Sequence, residues 1–308
     1  MKERTESKAS YVLRTTVLVA GSISILVAIV GALLAVRSTA SVPWGNVAIA
    51  SGAAALATWS SACAWLFLVR DLQASPDPTR AYVAALPAKY IPGGFTQPVG
   101  LVLLTSRVKG TMPKVAAAGG VLLGISAIAG ASFLPWTPRL ALPLPAALGL
   151  LAVPFLCLAW WRPLVRAILR IGKPAWGEVD ERVLPNRLRV LQAYALTLLS
   201  FVSLGSGFAM IFSAFGTGAP WGMLIAAFAV AWTVGFLAVP LPAGVGAREA
   251  MLVLLLSTWA APGVVLAVTL LHRFATMLAE LVLFVCLRSW RVVRNQAPQG
   301  GAENVARP

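Results

Sequence analysis

The stretch Pro240-Leu-Pro-Ala-Gly-Val-Gly-Ala-Arg-Glu249 interrupts one of the most apolar parts of the chain. Its two prolines remove amide donors and clash with the preceding turn, and Gly244 and Gly246 favour non-helical backbone, so a helix cannot run smoothly through it. In hydrocarbon, such a break is tolerated only where protein or a water-filled cavity surrounds it. The stretch therefore predicts a sheltered cavity inside a membrane protein.

The composition of the whole chain is that of a membrane protein. Of its 308 residues, 59% are hydrophobic and 11% are charged, and the mean hydropathy is +0.83, far from the balance of a soluble domain. The net charge of +15 is concentrated at the ends of apolar runs, as in cytoplasmic loops of membrane proteins, so we expect no nucleic-acid partner. Cys63, Cys157 and Cys286 each lie inside an apolar run without metal-ligand spacing, so we expect no metal and no cofactor.

Apolar runs of about 20 residues, the length that crosses about 30 Å of hydrocarbon, recur along the chain. They are Val17–Val36, Val47–Val69, Val115–Leu134, Leu140–Trp161, Leu191–Phe215, Trp221–Val239 and Val264–Leu287. Gly120 and Gly124 in the third run have the spacing that lets two helix backbones approach closely. Ala81–Leu104 and residues 241–259 are instead broken by proline or glycine, which is typical of re-entrant hairpins, although a crossing path also fits residues 241–259. The sequence predicts an all-α polytopic membrane protein with about eight transmembrane helices and two broken, re-entrant hairpins.

The distribution of charge predicts the orientation. Residues 1–16, the connection from Arg162 to Arg189 and residues 288–308 are basic, whereas the Gly216–Pro220 connection carries no charge. Because cytoplasmic loops collect Lys and Arg, both termini should be cytoplasmic. We expect a cytoplasmic N-terminus (1–16), one integral domain (17–287) in the cytoplasmic membrane, and a basic, disordered tail (288–308).

The two broken segments are related by an offset of 150 residues. Pro92-Gly93-Gly94 falls onto Pro242-Ala243-Gly244, and the same offset carries Val115–Leu134 onto the last span. In the expected topology, one segment enters the membrane from the cytoplasmic side and the other from the outer side. This arrangement is the signature of inverted-topology repeats, whose discontinuous helices meet around a site near the bilayer midplane.

Charged residues inside the last span point to the same site. An ionised side chain in hydrocarbon costs about 2.5–3.5 kcal/mol on insertion scales, so His272, Arg273 and Glu280 should face the bundle interior. Arg273 and Glu280 share a helix face but lie about 10.5 Å apart along the axis, too far to pair directly. We expect both to face Arg248 and Glu249 across a polar cavity and to share ion pairs when it is empty. The alternative is that these pairs only fix helix register, with His272 as a packing residue.

The first broken segment supplies further candidates. Lys89, Tyr90 and Gln97 flank its Pro-Gly-Gly turn, and backbone amides at the start of a half-helix attract anions. The alternative for Lys89 is that its ammonium only reaches to the membrane interface. The predicted site has head-group-binding residues Lys89, Tyr90, Gln97, Arg248 and Arg273, charge partners or proton-coupling residues Glu249, Glu280 and His272, and hairpin tips Pro92, Gly93, Gly94, Pro242, Gly244 and Gly246.

These residues also carry a family resemblance. Ala88-Lys-Tyr-Ile-Pro-Gly-Gly-Phe-Thr-Gln-Pro-Val-Gly100 is similar to the "KYLPGG...QPVGR" signature of the transmembrane region of lysylphosphatidylglycerol synthases and their stand-alone flippase-like relatives. Pro242–Glu249 resembles the "PGGLGVRE" signature, with Ala243 in place of a glycine and Ala247 in place of a bulkier residue, and His272-Arg273 resembles the family's "YR". The resemblance spans 17–287. It implies an eight-helix membrane bundle with re-entrant elements, in which the family's glutamate and arginines fall at Glu249, Arg248 and Arg273.

Two classes of function fit these observations. The first is a flippase-like protein that translocates or binds an anionic phospholipid or a polyprenyl-phosphate-linked lipid, with anionic membrane lipids as its partners. The second is a non-transporting scaffold or accessory subunit of a membrane-bound, lipid-modifying enzyme. We expect no enzyme activity, because the sequence shows no nucleophile and base pair. Full-length synthases carry a C-terminal aminoacyl-transferase domain, and this chain ends about twenty residues after its last span, so lipid aminoacylation is not expected.

Overall fold

The computed structural model describes residues 42–72, 77–90, 96–106, 108, 111–137, 185–238 and 246–296. Within these residues the chain forms eight α-helices and no strands, which confirms the predicted all-α class. The helices are α1 (Trp44–Val69), α2 (Pro78–Ala85), α3 (Thr96–Thr105), α4 (Met112–Ala131), α5 (Arg187–Ser213), α6 (Trp221–Leu237), α7 (Ala247–Leu256) and α8 (Pro262–Gln296). Short 3-10 turns follow α1 (Arg70–Leu72), α2 (Leu86–Tyr90) and α4 (Leu134–Trp136).

Several of the described helices match predicted spans. Four segments are long and apolar enough to cross a membrane, namely Trp44–Leu72, Met112–Trp136, Arg187–Ser213 and Pro262–Leu287, and α6 is apolar but shorter. They correspond to five of the seven predicted runs, and the other two, Val17–Val36 and Leu140–Trp161, lie outside the described residues. By helix length and composition, the chain is an integral membrane protein.

Short helices flank both proline- and glycine-rich segments. Helices α3 and α7 have ten residues each, so each rises about 15 Å, half the thickness of the hydrocarbon core. Neither helix alone crosses a membrane. The tips at Pro92–Gly94 and Pro242–Gly244 lie outside the described residues, and a re-entrant path for either segment stays a prediction.

The described helices repeat in order. In each half a long helix is followed by a helix that leads to the broken segment, then by a ten-residue helix and by another long helix. Helices α3 and α7 begin 151 residues apart, and α4 and α8 begin 150 residues apart. This order matches the repeat expected from the sequence. The inverted orientation of the two halves stays a prediction.

Two apolar clusters hold opposite ends of the bundle. One contains Val47 near the start of α1 and Phe212 near the end of α5, and the other contains Leu68 and Val190 at the other ends of these two helices. Helices α1 and α5 therefore run antiparallel. Polar contacts agree with this direction, since Asn46 Nδ2 donates to the Met210 carbonyl over 2.8 Å and Asp71 pairs with Arg189.

Tryptophans mark one end of the bundle and basic residues mark the other. Trp44, Trp136, Trp221 and Trp259 are 39–64% exposed beside the cluster that contains Val47 and Phe212, and we call this the tryptophan end. Arg70, Lys114, Arg187 and Arg189 lie beside the other cluster, at what we call the basic end. Tryptophan is enriched at membrane interfaces, and Lys and Arg are enriched on the cytoplasmic side.

Helix α8 extends beyond its predicted span. It runs to Gln296, so residues 288–296, which the sequence analysis placed in a disordered tail, are helical. Arginine is a good helix former, and no glycine or proline interrupts the chain before Pro298, which disfavours helix at the preceding residue. Residues 297–308 lie outside the described residues.

Close helix approaches occur at other glycines than the two predicted. A Cβ added at Gly205 in α5 would lie 2.9 Å from the Ile225 Cα of α6. A Cβ at Gly120 or Gly124 would meet no atom of the described residues within 4 Å. The Gly120–Gly124 spacing therefore does not mark a close crossing in the described part of the bundle. Gly205 does, and so does Gly130 near the end of α4, where an added Cβ would overlap the Thr233 side chain of α6.

We expect Gly205→Ala to destabilise the protein, because the backbone of Ile225 has to move to admit the methyl group. Overpacking of this kind costs about 1–3 kcal/mol. The matched control is Gly120→Ala, which makes the same chemical change within a helix where the described structure leaves room. Thermal unfolding in detergent should show a lower midpoint for Gly205→Ala only, and equal midpoints for the two variants would contradict the crossing.

Candidate functional site

A cavity of about 220 Å³ lies among the helices of both halves. Its wall includes Ser61 of α1, Leu122 of α4, Ser200 of α5 and Arg273 of α8. Each of these residues lies well inside its helix, away from both ends. The cavity is therefore situated between the tryptophan end and the basic end of the bundle.

Four of the predicted head-group-binding residues line this cavity. Lys89 and Gln97 come from the first half, and Arg248 and Arg273 come from the second half. The remaining polar wall consists of hydroxyl groups, contributed by Ser61, Tyr82, Ser126, Thr197, Ser200 and Thr276. In the sequence, Lys89 of the first half lies 159 residues before Arg248, the nearer of the two arginines of the second half. The fold thus brings three cationic side chains to one cavity.

Arg273 and Glu249 form the ion pair that the sequence predicted. Arg273 Nη1 donates to Glu249 Oε1 over 3.0 Å, and the two side chains are 9% and 13% exposed. The other carboxylate oxygen, Oε2, accepts a hydrogen bond of 2.7 Å from the Gly246 backbone N–H at the start of α7. Gly246 has φ +90°, which favours glycine, and the positive helix N-terminus favours the carboxylate. One glutamate therefore caps α7 and holds α8.

Glu280 has a different partner from the one expected. It pairs with Lys89, near the end of the 3-10 turn after α2, a residue that the sequence had not paired with it. The reason is depth, because Glu280 lies two turns beyond Arg273 along α8, toward the basic end. The Lys89–Glu280 pair joins the first half of the chain to α8 of the second half, whereas the Arg273–Glu249 pair joins α7 to α8 within the second half.

Arg248 lies against an aromatic group. Its Cζ is 4.5 Å from the centroid of the Phe228 ring, and its Nη2 is 3.5 Å from His272 Nδ1. His272 is fully buried, with its ring edge-on to Phe228 at 4.8 Å and to Phe208 at 5.9 Å. An Nδ1 that accepts from an arginine carries no hydrogen. This environment is that of the packing histidine considered as the alternative.

One wall of the cavity is aromatic. Trp232 and Phe236 of α6 are stacked with ring centroids 5.3 Å apart, and Phe201 of α5 meets Trp232 edge-on at 5.1 Å. All three residues line the cavity. The cavity is therefore amphipathic, since cations, hydroxyl groups and aromatic rings all line it.

Some predicted residues cannot be placed in the site. Pro92, Gly93, Gly94, Pro242 and Gly244 lie outside the described residues, as does the side chain of Tyr90. Gly246 is described and begins α7. Among the described residues, no group of three or more His, Cys, Asp or Glu side chains is arranged to hold a metal ion.

Sequence reasoning missed the hydroxyl and aromatic walls. Thr197 and Ser200 lie three residues apart within an apolar run, and Ser61 Oγ donates to Ser200 Oγ over 3.0 Å. Hydroxyl residues at helical spacing in a span are the signal that identifies this face. Phe228 carried no comparable signal, because a phenylalanine in an apolar helix is indistinguishable from a core residue by sequence alone.

Charge exchange tests the two ion pairs. We expect Arg273→Glu to lower the unfolding midpoint in detergent strongly, because breaking a buried pair costs about 3–5 kcal/mol. Lys89→Glu should lower the midpoint less, since the Lys89 side chain is 29% exposed and solvent screens its charge. Adding Glu280→Lys to Lys89→Glu should restore most of the loss. Adding Glu249→Arg to Arg273→Glu should restore less, since an arginine cannot accept the Gly246 N–H.

The exposed Asp71–Arg189 pair at the basic end is the control, since surface pairs contribute about 0–1 kcal/mol. Reversing the charge of one member of this pair with Asp71→Lys should change the unfolding midpoint little. If charge exchange restored the unfolding midpoint equally for both pairs, Glu249 would not have the double role of pairing with Arg273 and accepting the Gly246 N–H.

Comparison with known proteins agrees with the resemblance noted in the sequence. The family model described as "Lysylphosphatidylglycerol synthase TM region" matches residues 12–283, which include every described element of the cavity. No curated protein matches the chain. Since the match covers most of the chain, this protein belongs to the family of the lysylphosphatidylglycerol synthase transmembrane region.

Proposed function

We propose that the protein binds the head group of an anionic lipid in the cavity and moves that lipid between the two leaflets. The observation that carries the proposal is the convergence of Lys89, Arg248 and Arg273 on one cavity between the two ends of the bundle. Charges are costly in hydrocarbon, and those inside membrane spans mark ion and substrate pathways. The family, a membrane protein family linked to lipid handling, agrees with this proposal.

The chemistry of the cavity favours a phosphate. Arginine presents a planar fork of N–H donors that matches phosphate oxygens, and lysine adds a compact charge. The volume of about 220 Å³ is below the 300–1,000 Å³ typical of drug-sized ligands, which suits a head group whose tails remain in the bilayer. An anionic phospholipid and a polyprenyl-phosphate-linked lipid share this chemistry.

The two ion pairs give the site an empty state and an occupied state. In the structure Glu249 and Glu280 neutralise Arg273 and Lys89. A lipid phosphate competes with these carboxylates for the same cations. Since the Lys89–Glu280 pair joins the two halves, competition for Lys89 links head-group binding to the relative position of the halves.

In this proposal the protein makes and breaks no covalent bond. Its partners are membrane lipids with anionic head groups, and it binds no nucleic acid. It lies in the cytoplasmic membrane with both termini in the cytoplasm, so that the basic end faces the cytoplasm and the tryptophan end faces outward. In the alternative, a non-transporting scaffold for a lipid-modifying enzyme, the cavity cations only fix helix register, and this alternative is an outcome of the test below.

Neutral substitutions in the cavity test the transport proposal. We expect Lys89→Gln and Arg248→Gln each to lower the rate of fluorescent phosphatidylglycerol translocation in liposomes by about tenfold or more, because a charge-assisted hydrogen bond contributes about 1.5–3 kcal/mol. The control Arg80→Gln removes the same charge from a residue that pairs with Asp77 and does not line the cavity. It should transport normally.

Two results would contradict the proposal. One is no translocation of the labelled lipid by the unaltered protein, and the other is equal transport by all three variants. If the cavity variants also support growth of cells that depend on the protein, the scaffold alternative is favoured. Analysis of copurifying lipids by mass spectrometry provides an independent measurement, in which Arg248→Gln should retain less anionic lipid than Arg80→Gln.

The orientation of the protein in the membrane can be tested with cysteines placed at the two ends of α5. In a variant with Cys63, Cys157 and Cys286 replaced by alanine, we expect Ala214→Cys at the tryptophan end of α5 to react with an impermeant maleimide added outside intact cells. Arg187→Cys, at the basic end of the same helix, should react only after the membrane is opened. The reverse pattern would place the termini outside.

A further inference from the structure

Three hydroxyl groups in the cavity wall already use their hydrogen within the protein. Ser126, Thr197 and Thr276 each donate to a backbone carbonyl of the preceding helical turn, over 2.8–2.9 Å, and all three line the cavity. A carbonyl oxygen only accepts, and a hydroxyl group has a single hydrogen, so each of these side chains offers a ligand only the lone pairs of its oxygen. This part of the wall therefore accepts hydrogen bonds from a ligand.

A phosphate does not match an accepting wall. The oxygens of a phosphodiester accept hydrogen bonds, so their partners in the cavity are the N–H groups of Lys89, Arg248 and Arg273. The accepting hydroxyl oxygens need a donor from another part of the head group. The donors that lipid head groups carry beyond the phosphate are hydroxyl groups, as in glycerol and sugars, and ammonium groups.

The distribution of carboxylates separates these two kinds of donor. Of the ten Asp and Glu residues of the chain, only Glu249 and Glu280 lie in an apolar run or a broken segment. Both pair with cavity cations, and neither is among the described residues that line the cavity. An ammonium group in the cavity would meet like charges, with no carboxylate of the described wall as its partner. A neutral hydroxyl group carries no such cost.

We propose that the cavity selects lipids whose phosphate carries a polyol, namely glycerol or a sugar, and disfavours lipids whose phosphate carries an amine, an inference that rests on the proposed function. The cations bind the phosphate, and Ser126, Thr197 and Thr276 accept from the polyol. Ser61 and Ser200 line the same cavity and share one hydrogen bond of 3.0 Å, so this pair keeps a hydrogen and also donates. Polyol hydroxyls both donate and accept, and therefore match both kinds of group.

Three lipids with the same fluorescent acyl chain test this selectivity in the full chain reconstituted in liposomes. Phosphatidylglycerol carries hydroxyl groups on its head group, phosphatidylethanol has the same phosphodiester charge without a hydroxyl, and phosphatidylethanolamine carries an ammonium group. The measured quantity is the mole fraction of each lipid that gives half-maximal translocation, determined separately from the maximal rate. We expect this mole fraction to be about tenfold higher for phosphatidylethanol and for phosphatidylethanolamine than for phosphatidylglycerol.

Valine substitutions test the role of the cavity hydroxyls. Thr197→Val and Thr276→Val each remove a hydroxyl and keep a similar shape. Each should raise the half-maximal mole fraction of phosphatidylglycerol about threefold more than that of phosphatidylethanol, because only phosphatidylglycerol loses a hydrogen bond. The matched control is Thr269→Val in α8, since Thr269 is buried, also donates to a carbonyl of the preceding turn, and is not among the described residues of the cavity wall. It should leave the preference between the two lipids unchanged.

Competition distinguishes the two sources of a polyol head group. The unlabelled competitors are phosphatidylglycerol and polyprenyl phosphate esterified with either glucose or methanol. Stronger inhibition by the glucose ester than by unlabelled phosphatidylglycerol would identify a polyprenyl lipid as the preferred source, and weaker inhibition would identify a phospholipid. If the glucose and methyl esters inhibit translocation to the same measurable extent, the proposed selectivity is wrong.

The outcomes separate this inference from the proposed function. If the unaltered protein translocates none of the three fluorescent lipids, both are wrong. Equal half-maximal mole fractions for phosphatidylglycerol and phosphatidylethanol contradict only the selectivity. A preference for phosphatidylethanolamine contradicts both, because that lipid carries no net charge. If Thr269→Val narrows the preference for phosphatidylglycerol as much as Thr197→Val and Thr276→Val do, or if none of the three narrows it, the cavity hydroxyls do not select the head group.

Discussion

The hydrogen-bonded ion pair between Arg273 and Glu249 is the interaction on which the rest of the site depends. A charge in a membrane bundle must have a partner, and here the partner is supplied by the first turn of a helix that begins at a glycine with positive φ. The broken segment is therefore more than an interruption. By ending one helix and starting another inside the bundle, it brings a helix N-terminus and a carboxylate to a depth that a continuous helix could not offer.

The features that follow from hydrophobicity were predictable. Run length predicted five of the described helices, because a span has to match the thickness of the bilayer and because its apolar composition does not depend on tertiary contacts. The cost of buried charge predicted that Arg248, Glu249 and Arg273 would meet, and the structure brings them to adjoining positions. The extension of α8 to Gln296 was not predicted, since a basic sequence fits a solvated tail as well as a helix.

The features that depend on side-chain geometry were not predictable from the sequence. The partner of Glu280 is Lys89, which is 191 residues away in the sequence. Only the packing of α2 against α8 places Lys89 at the same depth in the bundle as Glu280. The contact between Gly205 and Ile225 depends on which face of α5 meets α6, and small-residue spacing in α4 suggested a different crossing. Phe228 and the aromatic wall have the composition of any apolar core, so the contact of Phe228 with Arg248 and the place of the other rings in the cavity wall are visible only in the structure.

The division of the cavity wall between the two halves of the chain has a further consequence. Lys89 and Gln97 belong to one half and Arg248 and Arg273 to the other, so neither half contains a complete site. A ligand shifts a conformational equilibrium only by the difference between its affinities for the two states. In the proposed function, any motion that separates the halves takes the binding site apart and so releases the lipid. The bound lipid then stabilises the arrangement in which the two halves lie together.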